Sequence, residues 1–227
     1  MSCATPTSAP KRPDFPSASH ATQSGPSCRR RAVFGCLKLT TKCRPSDFPF
    51  VLAKAAIISA MASLPSVCRT TPFFSYVKGT FFRAVDARYR AEALAGSNRA
   101  GRYSSPDQPT LYLSATPDGV EAAMLAHRAS RVQDLELIAI EVDAARIFDL
   151  RDEAAILTAH LQIKHATAPW QAIVASGERP PSWSVRQRIE ELGGLGLIDP
   201  SRRVPGLWHL VLFAWNAPGV PHAAVLD

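Results

Sequence analysis

Arg83, Arg102, Tyr112, Glu121 and Ser201 are the residues of this chain whose types and settings suit chemistry. Arg83 follows Phe81-Phe82 and precedes Ala84-Val85, so a short strand carries it. In a cleft its planar guanidinium would grip two phosphate oxygens at once; on an edge strand it would only face solvent. Arg102 sits with Tyr103 in a loop, where arginines are common for no chemical reason. Tyr112 alternates with Leu111 and Leu113 and so faces the opposite side of its strand, as a core ring or as a ring set against a ligand. Glu121 falls early in a helix. There a carboxylate gains about 0.3–1 kcal/mol from the helix dipole, or it steadies positive charge developing on a reacting group. Ser201 follows Asp199-Pro200, and its hydroxyl either closes a turn or makes a polar contact in a site. For each residue both readings stay open.

Other chemistries are poorly served. His127, His160, His165, His209 and His222 are scattered with no HxH or HExxH spacing, so they read as ordinary side chains and no metal is expected. Cys3, Cys28, Cys36, Cys43 and Cys68 all lie at or before position 68, which leaves the rest of the chain without a thiol nucleophile, a Cys-bound metal or a disulfide. Such a body suits a reducing compartment. Gly193-Gly194-Leu195-Gly196 is glycine-rich but follows a helical stretch and precedes a strand. A dinucleotide fingerprint needs the reverse order, because its glycines open the helix whose amides hold the pyrophosphate. The run reads as a helix C-cap and turn.

The elements that must position these residues are mixed. Strands are expected at 81–85, 110–115, 135–142 and 197–198, a short extended piece at 147–150, and an apolar, central strand at 207–215. A helical turn is expected within 86–95, before the Gly96-Ser97-Asn98 break. Thr116 is placed to cap a helix that begins with Pro117 and carries Val120, Met124 and Leu125 on one face. Further helices are expected at 154–161 and 182–192, the second ended by Gly193-Gly194. Strands do not alternate strictly with helices, which argues against a doubly wound parallel sheet.

Charge and composition divide the chain. Residues 1–60 hold nine of the 26 Lys and Arg but two of the 19 Asp and Glu, leaving seventeen of each sign for residues 61–227. The globular part is neutral, so it offers no basic face for nucleic acid. Residues 1–68 read as a basic, disordered extension and 69–227 as the domain. The apolar stretch 49–67 is interrupted by Lys54 and too short for a membrane span, and the segment before it is too long for a signal-peptide n-region. An Arg- and Ser-rich transit peptide is one reading; an annotated start upstream of the true one, Met61, is the favoured one.

Three segments in order, Phe82-Arg83-Ala84, then Gly101-Arg102-Tyr103 through Leu111-Tyr112-Leu113-Ser114 to Glu121, then Gly196-Leu197-Ile198-Asp199-Pro200-Ser201-Arg202, resemble the RES-domain family over roughly residues 80–216. The family is named for its Arg, Glu and Ser, and its members are toxins that consume NAD⁺. Asp107 stands near where family members often have glycine. The resemblance implies an α+β fold, an ADP-ribosyltransferase-like split β-sheet with flanking helices and the pocket between its halves. It implies an enzyme that cleaves the nicotinamide–ribose bond of NAD⁺, with Arg83, Glu121 and Ser201 as catalytic residues and Arg102, Tyr103 and Tyr112 as substrate-binding ones. NAD⁺ is then the substrate and no cofactor is needed. With phosphate as co-substrate the enzyme is a phosphorylase, and with water a glycohydrolase. The implied partner is a small Xre-type antitoxin and the implied location cytoplasmic, with no membrane. The alternatives are a protein ADP-ribosyltransferase using the same pocket and a non-catalytic RES-like binding module. An RNA-cleaving toxin is disfavoured by the neutral domain and the lack of a paired His or His/Lys acid–base set.

Overall fold

In the computed structural model, residues 64–124 and 135–226 are described. Two long strands carry the architecture. Phe74–Asp86 (β2) and Leu135–Asp149 (β4) pair antiparallel along nearly their whole lengths, from Phe74 opposite Phe148 to Asp86 opposite Leu135. Pairs such as Phe81 with Ile140 and Arg83 with Ile138 follow the period-two alternation of their sequences. The other strands are short: Ser66–Arg69 (β1), Leu111–Ser114 (β3), Gly196–Pro200 (β5), Trp208–Leu212 (β6) and His222–Val225 (β7). Among the described strands the order is β1-β2-β3-β6-β5-β4-β7, and β2 also pairs with β4. Strands β2, β3, β6, β5 and β4 therefore form a closed circuit. Only β4 with β5 runs parallel among the described pairs.

The inside of that circuit is apolar. Phe81, Leu113, Ile140, Ile198 and Leu210, one from each of the five strands, are buried in one cluster. Trp208 meets Phe81 edge-on, with ring centroids 5.5 Å apart. The outer face is covered by helices. Pro117–Met124 (α1) lays Val120 on Phe82. Glu153–Thr158 (α2), Ile163–Thr167 (α3), Trp170–Ala175 (α4) and Ser182–Glu191 (α5) follow in the sequence, and Ala155, Ala166, Val185 and Ile189 of this set join Leu197 and Val211 in a second buried cluster.

One place in the circuit is weak. Among the described residues β2 and β3 share a single paired position, Phe82 opposite Ser114. Beyond it, Arg83–Asp86 and Leu111–Leu113 part company. We call this the seam. Helix α1 starts beside it, because Gly119 packs so closely that a Cβ there would stand 3.1 Å from the Ser114 Cβ.

Several sequence expectations change. The strand at 135–142 and the extended piece at 147–150 are one strand of 15 residues. Ala144-Ala145-Arg146 hid their continuity, and Arg146 takes a positive φ of 59° inside it. The strand expected at 207–215 ends at Leu212, and the indole of Trp215 leaves the sheet to donate to the Leu94 carbonyl at 2.9 Å. The helix expected at 154–161 stops at Thr158, with His160 at φ 55°. The turn within 86–95 is a 3₁₀ helix at Ala87–Glu92. The sheet is one connected circuit, and what interrupts it is the seam. Strand β1 starts inside the stretch assigned to the extension, while residues 1–63 of that extension, Leu125 and His127 lie outside the described residues. The cap of α1 forms as expected, with Thr116 Oγ1 accepting from the Gly119 amide at 3.1 Å, and Gly193 ends α5 at φ 88°. Among the described residues no helix is long and apolar enough to cross a membrane.

Candidate active site

The loop that carries Arg102 and Tyr103 is a tight turn held by its neighbours. Gly101 and Ser104 bridge through their backbones, the Gly101 amide donating to the Ser104 carbonyl at 2.8 Å. Tyr112, on β3, reaches up from the outer face of the sheet. Its hydroxyl accepts from the Tyr103 amide at 3.2 Å and lies 3.0 Å from Ser104 Oγ. From α5 the Trp183 indole donates to the Gly101 carbonyl at 2.9 Å, and the Ser182 hydroxyl to the Arg102 carbonyl at 2.5 Å. Gly101 has no room for a side chain, since a Cβ there would stand 2.5 Å from the Tyr112 hydroxyl. Gly101→Ala is expected to lower stability by about 1–3 kcal/mol, as overpacking does. The loss should be less than additive with Tyr112→Phe, which removes the atom in the way, and melting temperatures of the single and double variants measure this. Asp107, in the position of the absent glycine, is exposed in the turn that Gln108 closes by donating its amide to the Ser105 carbonyl at 3.1 Å.

Beneath that turn lies a buried polar network. Tyr103 is fully buried, and its hydroxyl donates to Asp199 Oδ1 at 3.0 Å. Arg202, three residues after Asp199, forks onto the same carboxylate at 2.9 and 3.1 Å and donates to the Tyr103 hydroxyl at 3.1 Å. Burial first, then the neighbouring Asp199 charge, holds the Tyr103 hydroxyl well above its ordinary pKa, so it stays protonated. Burial also raises Tyr112. Arg102 and Arg202 both donate to the Ala166 carbonyl at the end of α3, at 3.0 and 2.7 Å, and Arg102 to Ala168 as well. Arg186 of α5, itself buried, donates to Thr110 Oγ1 at 2.7 Å and stacks 4.6 Å from the centre of the Phe213 ring.

A polar row crosses the outer face of the sheet next to this network. Asp199 on β5 stands opposite His209 on β6, and His209 opposite Ser114 on β3. Ser114 Oγ and His209 Nδ1 are 3.0 Å apart. Ser201 continues the ladder, its amide donating to the Leu207 carbonyl at 2.8 Å, while its hydroxyl accepts from the Val204 amide at 3.3 Å and closes a turn.

Arg83 and Glu121 lie at the seam. Arg83 is one residue past the Phe82–Ser114 pair and on the inner side of the sheet, opposite in facing to Phe82. It donates to the Ala93 carbonyl at 2.5 Å, and among the described residues no carboxylate pairs with it. Burial lowers its pKa, the sign of a cation held away from water without a counter-charge. Glu121 is exposed on α1. Thus Arg102, Tyr103 and Tyr112 share one bonded network, Ser201 lies two residues from its anchor Asp199, and Arg83 and Glu121 flank the seam. Among the described residues no hydrogen bond joins those last two to the network.

A family model described as the RES domain matches residues 80–227. The chain belongs to the RES-domain family. A chain of the crystal structure of the M. tuberculosis MbcT–MbcA toxin–antitoxin complex is similar to it at 18% identity, with a TM-score of 0.44, over 66% of this chain and 85% of that one. No curated protein matches the chain.

Sequence reading of this RES domain missed Asp199, Arg202 and His209 as parts of the site. Asp199 and Arg202 had a usable signal, an acid and a base three apart around Pro200-Ser201. His209 had another, a lone polar residue in the apolar run Trp208-His209-Leu210-Val211-Leu212. What the sequence could not supply was the partner, because Ser114 and His209 are 95 residues apart.

Proposed function

We propose that this RES domain cleaves the nicotinamide–ribose bond of NAD⁺ as the toxin of a toxin–antitoxin pair. The observation that carries the reading is Arg83, a half-buried guanidinium with no acidic partner among the described residues, at the place where two strands part. A partly desolvated cation without an anion carries a cost, and a ligand pyrophosphate would offset it bidentately. A substrate along the seam would meet Arg83 on one lip and β3, with Tyr112, on the other. This is where the ADP-ribosyltransferase-like reading of the fold puts a pocket. The pyridinium of NAD⁺ leaves as neutral nicotinamide, so no acid is required at the leaving group. The site's task is to steady the oxocarbenium-like charge on the ribose, and Glu121 on α1 is the residue suited to it. Tyr112 grips the nicotinamide and Ser201 adds a polar contact. Arg102 and Tyr103 shape the border of the pocket.

Incubating the purified chain with NAD⁺, with and without inorganic phosphate, tests the reaction. Release of nicotinamide with ADP-ribose marks a glycohydrolase, and release with a phosphorylated ADP-ribose marks a phosphorylase. A mass shift on an added protein marks an ADP-ribosyltransferase. Intact NAD⁺ in every tube would sink the proposal. Arg83→Lys keeps the charge and loses the planar fork, so KM for NAD⁺ should rise about tenfold with kcat within about threefold, if the contact is equal in ground and transition states. Enzymes that drain NAD⁺ must be restrained in their own cell, and an Xre-type antitoxin is the expected partner. Expression of the chain alone should arrest growth, and co-expression of the adjacent reading frame should restore it. Unimpaired growth with active enzyme present would remove the toxin role and leave the reaction standing.

A further inference from the structure

We propose that His209 is a further catalytic residue of this site, the base that receives the proton of the oxygen acceptor attacking the ribose. The inference rests on reading the site as an NAD⁺-cleaving one. His209 stands in the middle of the polar row, between Asp199 of β5 and Ser114 of β3. Trp208 and Leu210 on either side point into the barrel, so the imidazole takes the outer face, as do Tyr112 and Ser114. Ser201 follows two residues beyond Asp199, its amide bonded to the Leu207 carbonyl. Helix α1, with Glu121, begins against Ser114. The imidazole therefore shares the outer face with Tyr112, beside the ladder that leads to Ser201 and the start of the helix that carries Glu121.

Its chemistry fits the role. Ser114 Oγ engages Nδ1 at 3.0 Å and so fixes the ring. Among the described residues Nε2 of His209 has no hydrogen-bond partner, which leaves it for an incoming group. The charged groups that act on the ring are Asp199, Arg202 and Arg102. Burial lowers its pKa, and the two arginines push the same way while Asp199 opposes them, leaving a neutral imidazole at pH 7. In the step itself, the acceptor oxygen bonds to ribose C1′ and the C1′–nitrogen bond breaks. Its electron pair neutralises the pyridinium as nicotinamide leaves. The acceptor's proton passes to Nε2 and then to solvent.

The test is the pH dependence of kcat for NAD⁺ cleavage by the full chain, with water and with phosphate supplied as acceptor. The wild type should lose activity on the acid side with a midpoint below the ordinary histidine value, as Nε2 becomes protonated. His209→Asn places an amide nitrogen or oxygen near the Nδ1 position and removes Nε2. It should lower kcat by about 100- to 10,000-fold and erase the acid limb, with the melting temperature close to wild type. Ser114→Ala keeps Nε2 and should shift the limb without erasing it, which covers the case of a poorly folded His209 variant. A wild type without an acid limb, or a limb unchanged in His209→Asn, overturns the role of His209 while NAD⁺ cleavage stands. A wild type that leaves NAD⁺ intact overturns the proposed reaction instead.

Discussion

Glu121→Gln is expected to lower NAD⁺ turnover by about 100- to 1,000-fold and to leave the fold intact. The substitution keeps volume and hydrogen-bonding capacity but removes the negative charge that would oppose the cation forming on the ribose. Glu121 is exposed on α1, so the folded domain has little to lose by its change. The helix is anchored by other means, Val120 against Phe82 and the Thr116 cap. If Glu121 serves the helix dipole alone, the variant should lose at most about 1 kcal/mol of stability and turn over normally. Kinetics and a melting curve on the same sample separate the two cases. A folded variant with wild-type kcat would take Glu121 out of the site.

Asp199→Ala should produce the opposite pattern, a large loss of stability. The Asp199 carboxylate accepts from the Tyr103 hydroxyl and from both terminal nitrogens of Arg202. Removing it strands a hydroxyl in the core and leaves Arg202, whose side chain is 28% exposed, with the Ala166 carbonyl and the Tyr103 hydroxyl in place of an anion. Breaking a buried, hydrogen-bonded ion pair from one side costs about 3–5 kcal/mol. Partial exposure of Arg202 lets water recover some of that, so roughly 2–4 kcal/mol is expected here. For a domain of this size that is a fall of about 5–15 °C in melting temperature. Asp199→Asn, which still accepts from Tyr103, should lose less. Equal melting curves for wild type and Asp199→Ala would show that the network holds nothing.

Local rules were readable in the sequence where one or two residues decide the outcome. The cap Thr116-Pro117, the helix stop at Gly193 and the outward facing of Tyr112 follow from backbone geometry and from the two leucines that flank that tyrosine. Helices α3 and α4 were not readable, since five and six residues show no helical period. The facing of Arg83 was hidden as well, because Phe81 and Phe82 are both apolar although one enters the barrel and the other meets α1. The site network depends on contacts across 96 residues between Tyr103 and Asp199 and 64 between Arg102 and Ala166. Nothing local in the chain encodes such pairs; they exist once the sheet has chosen its strand order. The family resemblance supplied candidate residues without that order, which is why it named Ser201 and not the Asp199 two positions before it.

The seam also sets how this barrel breathes. A ring of strands normally has no free edge, and opening it means tearing a whole ladder. Here, among the described residues, one paired position fastens β2 to β3, while β2 and β4 are zipped from Phe74 to Asp86. Sub-global opening follows the least-bonded boundary, so this ring should unlatch at the Phe82–Ser114 stitch far below the free energy of global unfolding. In hydrogen exchange, amides of Arg83–Asp86 that point toward β3 should then trade their protons quickly, while those pointing toward β4 stay protected. A molecule wedged between the parted strands would slow the fast set and leave the other unchanged, giving each half of one strand's amides its own clock.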